Sequence, residues 1–369
     1  MHCLRYIPVI LMLIYPSAVM ATTVSPAPEI QPQPSPTVEA TVPIEETQVP
    51  MNKVVQPSYG STPLDSLKTW ITYWDAESAL RELDSSTIPL SELIYFAAYF
   101  DANDALFVPE EIYDLIFCIS LLDNEHPVEY LSFVNDRLLA DGGALQKDKD
   151  ILRTILFDDQ ARQQHIDDII AITQKTGLSA IEIDYEALVR DAELLQQFTI
   201  FVEELYAKTS ALHMPLRVVL EPLVAFDQYA FPEGPEYVIM CYNLFGTHSG
   251  PGPKANPVFL RRVVTAAEAL PGKKTFALAI GGYRWAQCGT VQNITFQQAQ
   301  NLLTEHAAVA YRDTESGCVY FNYTDADAQE NEVWYADDET LKIWIDAIQE
   351  MGEYDINIWR LGGNAPWTK

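Results

Sequence analysis

From about residue 63 the chain alternates short apolar runs with longer stretches in which apolar residues recur every three to four positions. The short runs, over 69–74, 93–100, 128–134, 178–185, 216–220, 237–242, 275–281 and 356–359, predict β-strands. Between them, Ile112, Leu115, Ile116 and Ile119 form one helical stripe. Ile166, Ile169, Ile170 and Thr173 form a second, which ends at Gly177 as a C-terminal stop. Further helices are predicted over 191–210, 257–270 and 338–351. Strands alternating with helices place the chain in the α/β class and predict a closed (β/α)8 TIM barrel over 63–369. An open doubly wound sheet is the alternative, but no Gly-rich phosphate loop follows the first strand. Between the seventh and eighth strands, a helix over 295–306 and strand-like runs over 318–323 and 333–335 predict a small α+β insertion forming one wall of a cleft.

The fourth strand breaks the apolar pattern. Glu182, Asp184 and Glu186 alternate with Ile181, Ile183 and Tyr185, which puts three carboxylates on one face. Acids one pleat apart repel, so at least one can be held protonated near neutral pH. A carboxylic acid beside a carboxylate is what glycosidic cleavage requires. With 52 Asp plus Glu in 369 residues, however, about one such triplet arises by chance. Its place decides: in a barrel the C-terminal strand ends converge, and Tyr242, Asn243 and Trp359 also fall at strand ends.

A net charge of −29 excludes nucleic acid and anionic membranes as favoured partners and suits a neutral glycan. Arg5, the apolar run 7–15 and Val19-Met20-Ala21 read as a secretory signal over 1–21, with no membrane insertion once it is removed. Residues 22–62, rich in Pro and Thr, read as a disordered linker. Cys118 and Cys241 fall in apolar patterns and are expected as buried packing residues. Cys288 and Cys318 lie in loop-rich sequence, where an exported chain would allow either a disulfide or two thiols. No Cys/His cluster has metal-ligand spacing, and neither a metal nor another cofactor is expected.

Residues 179–186, Ser-Ala-Ile-Glu-Ile-Asp-Tyr-Glu, resemble the D-G-x-D-x-D-x-E signature of family 18 glycoside hydrolases, the chitinase-like barrels. Met240-Cys241-Tyr242-Asn243 is similar to their M-x-Y-D element, and Ser249-Gly250-Pro251-Gly252-Pro253 to an s-x-P-G-P loop of bacterial members. Leu278-Ala279-Ile280-Gly281-Gly282-Tyr283-Arg284-Trp285, Val333-Trp334-Tyr335-Ala336-Asp337-Asp338 and Ile358-Trp359-Arg360-Leu361-Gly362 resemble segments of the spore-germination-type branch. The matches run in order from about 68 to 362.

The resemblance implies a retaining hydrolase of β-linked N-acetylglucosamine glycans such as peptidoglycan, chitin or the N-glycan core, which the signal would make a secreted one. Its nucleophile would be the substrate's own acetamido oxygen. It implies Glu186 as general acid, Asp184 as its electrostatic partner with Glu182 sharing a proton, and Tyr242 as a donor to the acetamido oxygen. Trp359 would form the sugar floor, with Tyr73, Asn243 and Tyr283 as further substrate contacts. Two departures, Glu182 for Asp and Asn243 for Asp, keep open a second class of function, a chitinase-like protein that binds glycans without cutting them.

Overall fold

Eight parallel strands close on themselves: β1 Leu67–Thr72, β2 Leu90–Phe100, β3 Val128–Leu138, β4 Ala180–Asp184, β5 Leu216–Leu220, β6 Glu236–Met240, β7 Lys274–Ala279 and β8 Asp355–Trp359. The pairings run in chain order, and β8 returns to β1. The computed structural model describes residues 64–122, 127–139, 143–222 and 224–368, together with the backbone of Lys53–Val54. The expected signal, and all of the expected linker except Lys53–Val54, lie outside the described residues. Lys53–Val54 itself forms a short strand paired antiparallel with Tyr311–Arg312.

The eight expected strands are the eight observed ones, displaced at their ends by a few residues. Most are buried on both faces, one face against the lumen and the other against helices, so their sequences read as continuous apolar runs. Trp70, Ile94, Tyr130, Ala180, Val219, Val238, Met240 and Ala277 fill the lumen. Around it lie α1 Ala76–Ser85, α2 Glu110–Ser120, α3 Lys149–Leu156, α4 Asp159–Thr176, α5 Ala192–Ala211, α6 Pro257–Ala267, α7 Phe296–Glu305 and α8 Asp338–Gln349. On α4 the predicted stripe is buried; Asp158 caps its start by accepting from Ala161 N at 2.8 Å, and Gly177 ends it in the left-handed region. Between β5 and β6 the described residues hold only a 3-10 turn, Phe226–Gln228, where a regular barrel has a helix.

An ion-pair network closes the N-terminal end of the barrel. Lys68 and Lys273 reach Asp355 at 2.7 and 2.9 Å, and Arg217 reaches Glu92 at 2.8 Å. The stretch between β7 and β8 supplies five strands of an antiparallel sheet, Gly281–Ala286, Val291–Ile294, Tyr311–Arg312, Val319–Thr324 and Glu330–Ala336, with α7 packed on it. Asp337 ties this sheet to the barrel: it caps α8 through Thr340 N at 3.0 Å and takes both guanidinium nitrogens of Arg312, at 3.0 and 2.7 Å. Cys118 and Cys241 are buried. Cys288 and Cys318 are free thiols, one exposed and one buried, so of the two alternatives it is the unpaired one that holds.

Candidate active site

Alternation along β4 stacks Ala180, Glu182 and Asp184 up the lumen, and Glu186 follows at the rim. Two constraints set the backbone at Glu186. Asn135, on β3, accepts from its N–H at 2.8 Å and donates to its carbonyl at 3.2 Å. Ala187 then takes φ 65°, a left-handed conformation costly for a residue with a Cβ, which turns the chain away from the lumen. Glu221, after β5, accepts from Leu188 N at 3.0 Å and holds the continuing loop.

Asp184 is buried, and its Oδ1 has no hydrogen-bond partner among the described residues. Burial raises its pKa well above the usual carboxylate range, and the nearby Glu186 and Glu182 raise it further. Burial raises the Glu186 pKa as well, opposed by the ammonium of Lys147, 2.6 Å from Oε2. Two coupled carboxyls of this kind retain a proton to higher pH than an isolated acid. Lys147 is itself left-handed, with φ 55°, and its N–H is anchored on Asp136 at 2.8 Å. The tyrosine after β6, Tyr242, stays a neutral donor: burial, Asp184 and Glu186 all raise its pKa.

Glu182 is engaged elsewhere. Its Oε1 accepts from the Trp70 indole at 2.7 Å, and its Oε2 lies 3.5 Å from Arg217 Nε. No hydrogen bond joins it to Asp184 among the described residues, so the expected proton sharing is not a contact of this structure. The extra methylene of Glu carries the carboxyl toward Arg217, a fully buried cation on β5 that the fourth-strand pattern could not reveal.

Glu186, Asn243, Tyr283, Lys147 and Glu221 line a groove of about 590 Å³. Trp359, Trp74, Lys254 and Arg360 line a cavity of about 390 Å³. Trp359 and Tyr242 both pack on the lumen cluster, and the Trp359 ring lies 5.0 Å from Phe96 and 5.8 Å from Trp70. Tyr73, expected near the same sugar, turns its ring to Trp74 and Tyr99; it is the half-exposed Trp74 that lines the cavity. A larger depression of about 730 Å³ lies on the insertion between Ser249, Trp285 and Asn322, away from the carboxyls; the site is placed by its chemistry rather than by size. Trp285 is buried, its indole donating to Ser249 O at 3.2 Å. Lys147 and Lys254 escaped sequence reasoning because each lies in a loop with no periodic signal, and Asn135 because its partner Glu186 is 51 positions away.

No family model matches the chain. It is 24% identical over 233 residues to the cortical fragment-lytic enzyme of Bacillus subtilis (strain 168), covering 58% of this chain and 53% of that one. The chain spans about half the length of the curated relatives it matches. Among solved structures, the Bacillus cereus spore cortex-lytic enzyme SleL superposes with a TM-score of 0.65 at 18% identity, over 84% of this chain and 74% of that one. A class V chitinase mutant from Nicotiana tobaccum in complex with NAG4 superposes with a TM-score of 0.64 at 14% identity, over 81% and 94%. These likenesses agree with the (β/α)8 barrel and support the resemblance to the spore-germination-type branch of the family 18 barrels.

Proposed function

We propose that the chain is a secreted glycoside hydrolase that cleaves β-linked N-acetylglucosamine-containing glycans of the cell wall with retention of configuration. The observation that carries this reading is the buried Asp184 oxygen beside Glu186, without a hydrogen-bond partner among the described residues, at the C-terminal mouth of the barrel. A cortex-lytic enzyme and a NAG4-bound chitinase among the similar proteins support a GlcNAc-containing substrate.

Protonated Glu186 gives its proton to the glycosidic oxygen as the bond to the anomeric carbon breaks. The substrate's acetamido oxygen attacks that carbon from the opposite face, and the product is a cyclic oxazolinium cation. The proton that Asp184 and Glu186 retain between them passes to Glu186 once Lys147 has left it, and Asp184 is then the preorganised anion that stabilises the developing positive charge. Tyr242 donates to the acetamido group and holds it for attack. Glu186, now a carboxylate, takes a proton from water as the water opens the ring. Trp359 offers its apolar face to the sugar. Lys147 must leave Glu186 before the proton can be delivered, so substrate entry displaces an ion pair.

That ion pair also favours the second reading, a glycan-binding protein whose acid stays neutralised. Turnover of a fluorogenic di-N-acetylchitobioside by the wild type and Glu186→Gln separates the two, with a thiazoline mimic of the oxazolinium as a binding probe. Hydrolysis lost in Glu186→Gln is the expected result. Equal rates in both proteins would sink the mechanism, and thiazoline binding without turnover would favour the binding protein.

A further inference from the structure

Four cations are buried among the described residues: Arg162, Arg217, Lys254 and Arg312. Three have carboxylate partners at 2.7–2.8 Å, Arg162 with Glu204, Arg217 with Glu92 and Arg312 with Asp337. Among the described residues Lys254 has none within ion-pair distance and no hydrogen bond from its ammonium, although it is only 6% exposed in a chain with more than twice as many acids as bases. Its ammonium stands 5.0 Å from the centroid of the Tyr283 ring. The charged group nearest in effect is Arg360, a like charge already held by Asp75 at 2.8 Å. Most of the side chain is buried, and the residue lines the cavity that holds Trp359, where a ligand can reach the ammonium. Burial lowers its pKa only to about 8, so it remains a cation at neutral pH.

The position is also rigid. Leu244 N donates to Lys254 O at 3.0 Å, and two residues on Asn256 caps α6 by accepting from Phe259 N at 2.8 Å. Just before it, a Cβ on Gly252 would lie 2.5 Å from the Phe245 ring, so the loop closes only with glycine there. The ammonium is therefore held beside the Trp359 cavity, against the ring that lines the Glu186 groove. A cation kept in place without an anion is complementary to an anion that arrives with the ligand. A polymer of N-acetylglucosamine alone carries none.

We propose that Lys254 is a specificity-determining residue that receives a carboxylate borne on the sugar chain, so that the preferred substrate is an acid-substituted N-acetylhexosamine strand such as alternating GlcNAc and 3-O-lactyl-GlcNAc. This rests on the glycosidase reading and names its substrate class. The carboxylate belongs to the sugar ether and not to an attached peptide, because the cation lies inside the cavity that holds Trp359.

The test uses the full chain and three peptide-free tetrasaccharides: alternating GlcNAc and lactyl-GlcNAc, the same glycan methyl-esterified at its carboxylates, and the GlcNAc tetramer. Binding is measured by calorimetry and cleavage by chromatography, for the wild type, Lys254→Met and Lys254→Arg. A charge-assisted contact predicts that esterification weakens wild-type binding about tenfold or more. Lys254→Met is expected to lower the ratio of acidic to neutral glycan affinity by a similar factor and to become indifferent to esterification, while Lys254→Arg restores part of the preference. Wild-type affinity that ignores esterification would overturn the inference, and that arm needs no variant to fold. Lysine-dependent binding of the acidic glycan without cleavage would defeat the glycosidase reading and leave this inference standing. Cleavage with no preference for the acidic strand would do the reverse.

Discussion

The indole Nε1 of Trp70, on β1, donates to Glu182 Oε1, on β4, at 2.7 Å across the lumen. With that bond and Arg217 behind it, Glu182 is proposed to position its neighbours rather than to meet substrate. Glu182→Gln keeps an acceptor for the indole, so kcat is expected to fall less than about tenfold. Asp184→Asn removes charge from the developing cation and is expected to cost about a hundredfold or more. Comparable losses in the two variants would return Glu182 to the catalytic set.

Lys147 sets the ionisation of the free acid. Its ammonium, 2.6 Å from Glu186, favours the carboxylate and opposes the rise that burial causes. Removing it in Lys147→Ala raises the Glu186 pKa. The acid must be protonated to act, so the basic limb of kcat/KM against pH moves to higher pH. An unmoved limb in the variant would show that Lys147 is already displaced in solution.

His165 anchors the tip of β4 to α4. It shares a 2.7 Å hydrogen bond with Tyr185 and stacks on Phe100. Burial drives its pKa from 6.5 to about 3. The unfolded chain therefore takes up a proton below pH 6.5 that the native state refuses, and the stability present above that pH is lost as pH falls toward 3. Between pH 7 and 5 the wild type should lose about 2 kcal/mol more than His165→Gln, measured by urea unfolding. Parallel pH dependences in the two proteins would contradict the assignment.

The buried pair Arg312–Asp337 joins the insertion to α8. Arg312→Met leaves Asp337 charged and buried, at a cost of about 3–5 kcal/mol. Adding Asp337→Asn neutralises the orphan and keeps the cap, and is expected to recover part of that loss in thermal unfolding. If the double variant is no more stable than the single one, the penalty lies in packing and not in charge.

The barrel was legible in the sequence because each of its strands is short, apolar and separated by helices of clear period; Leu216–Leu220 was read to the residue. The periodicity of β4 alone set which side Glu182, Asp184 and Glu186 face, and strand order brought Tyr242 and Trp359 to the same mouth. These are local properties, carried by the spacing of side chains along one backbone. What each acid touches is not local. Arg217 lies 35 positions from Glu182, Lys147 reaches Glu186 from a loop 39 positions away, and Lys254 is noticeable only because no carboxylate comes near it. Pairing, burial and pKa depend on distances between segments that closure of the barrel alone decides, and so the tertiary structure gave the three acids their different surroundings.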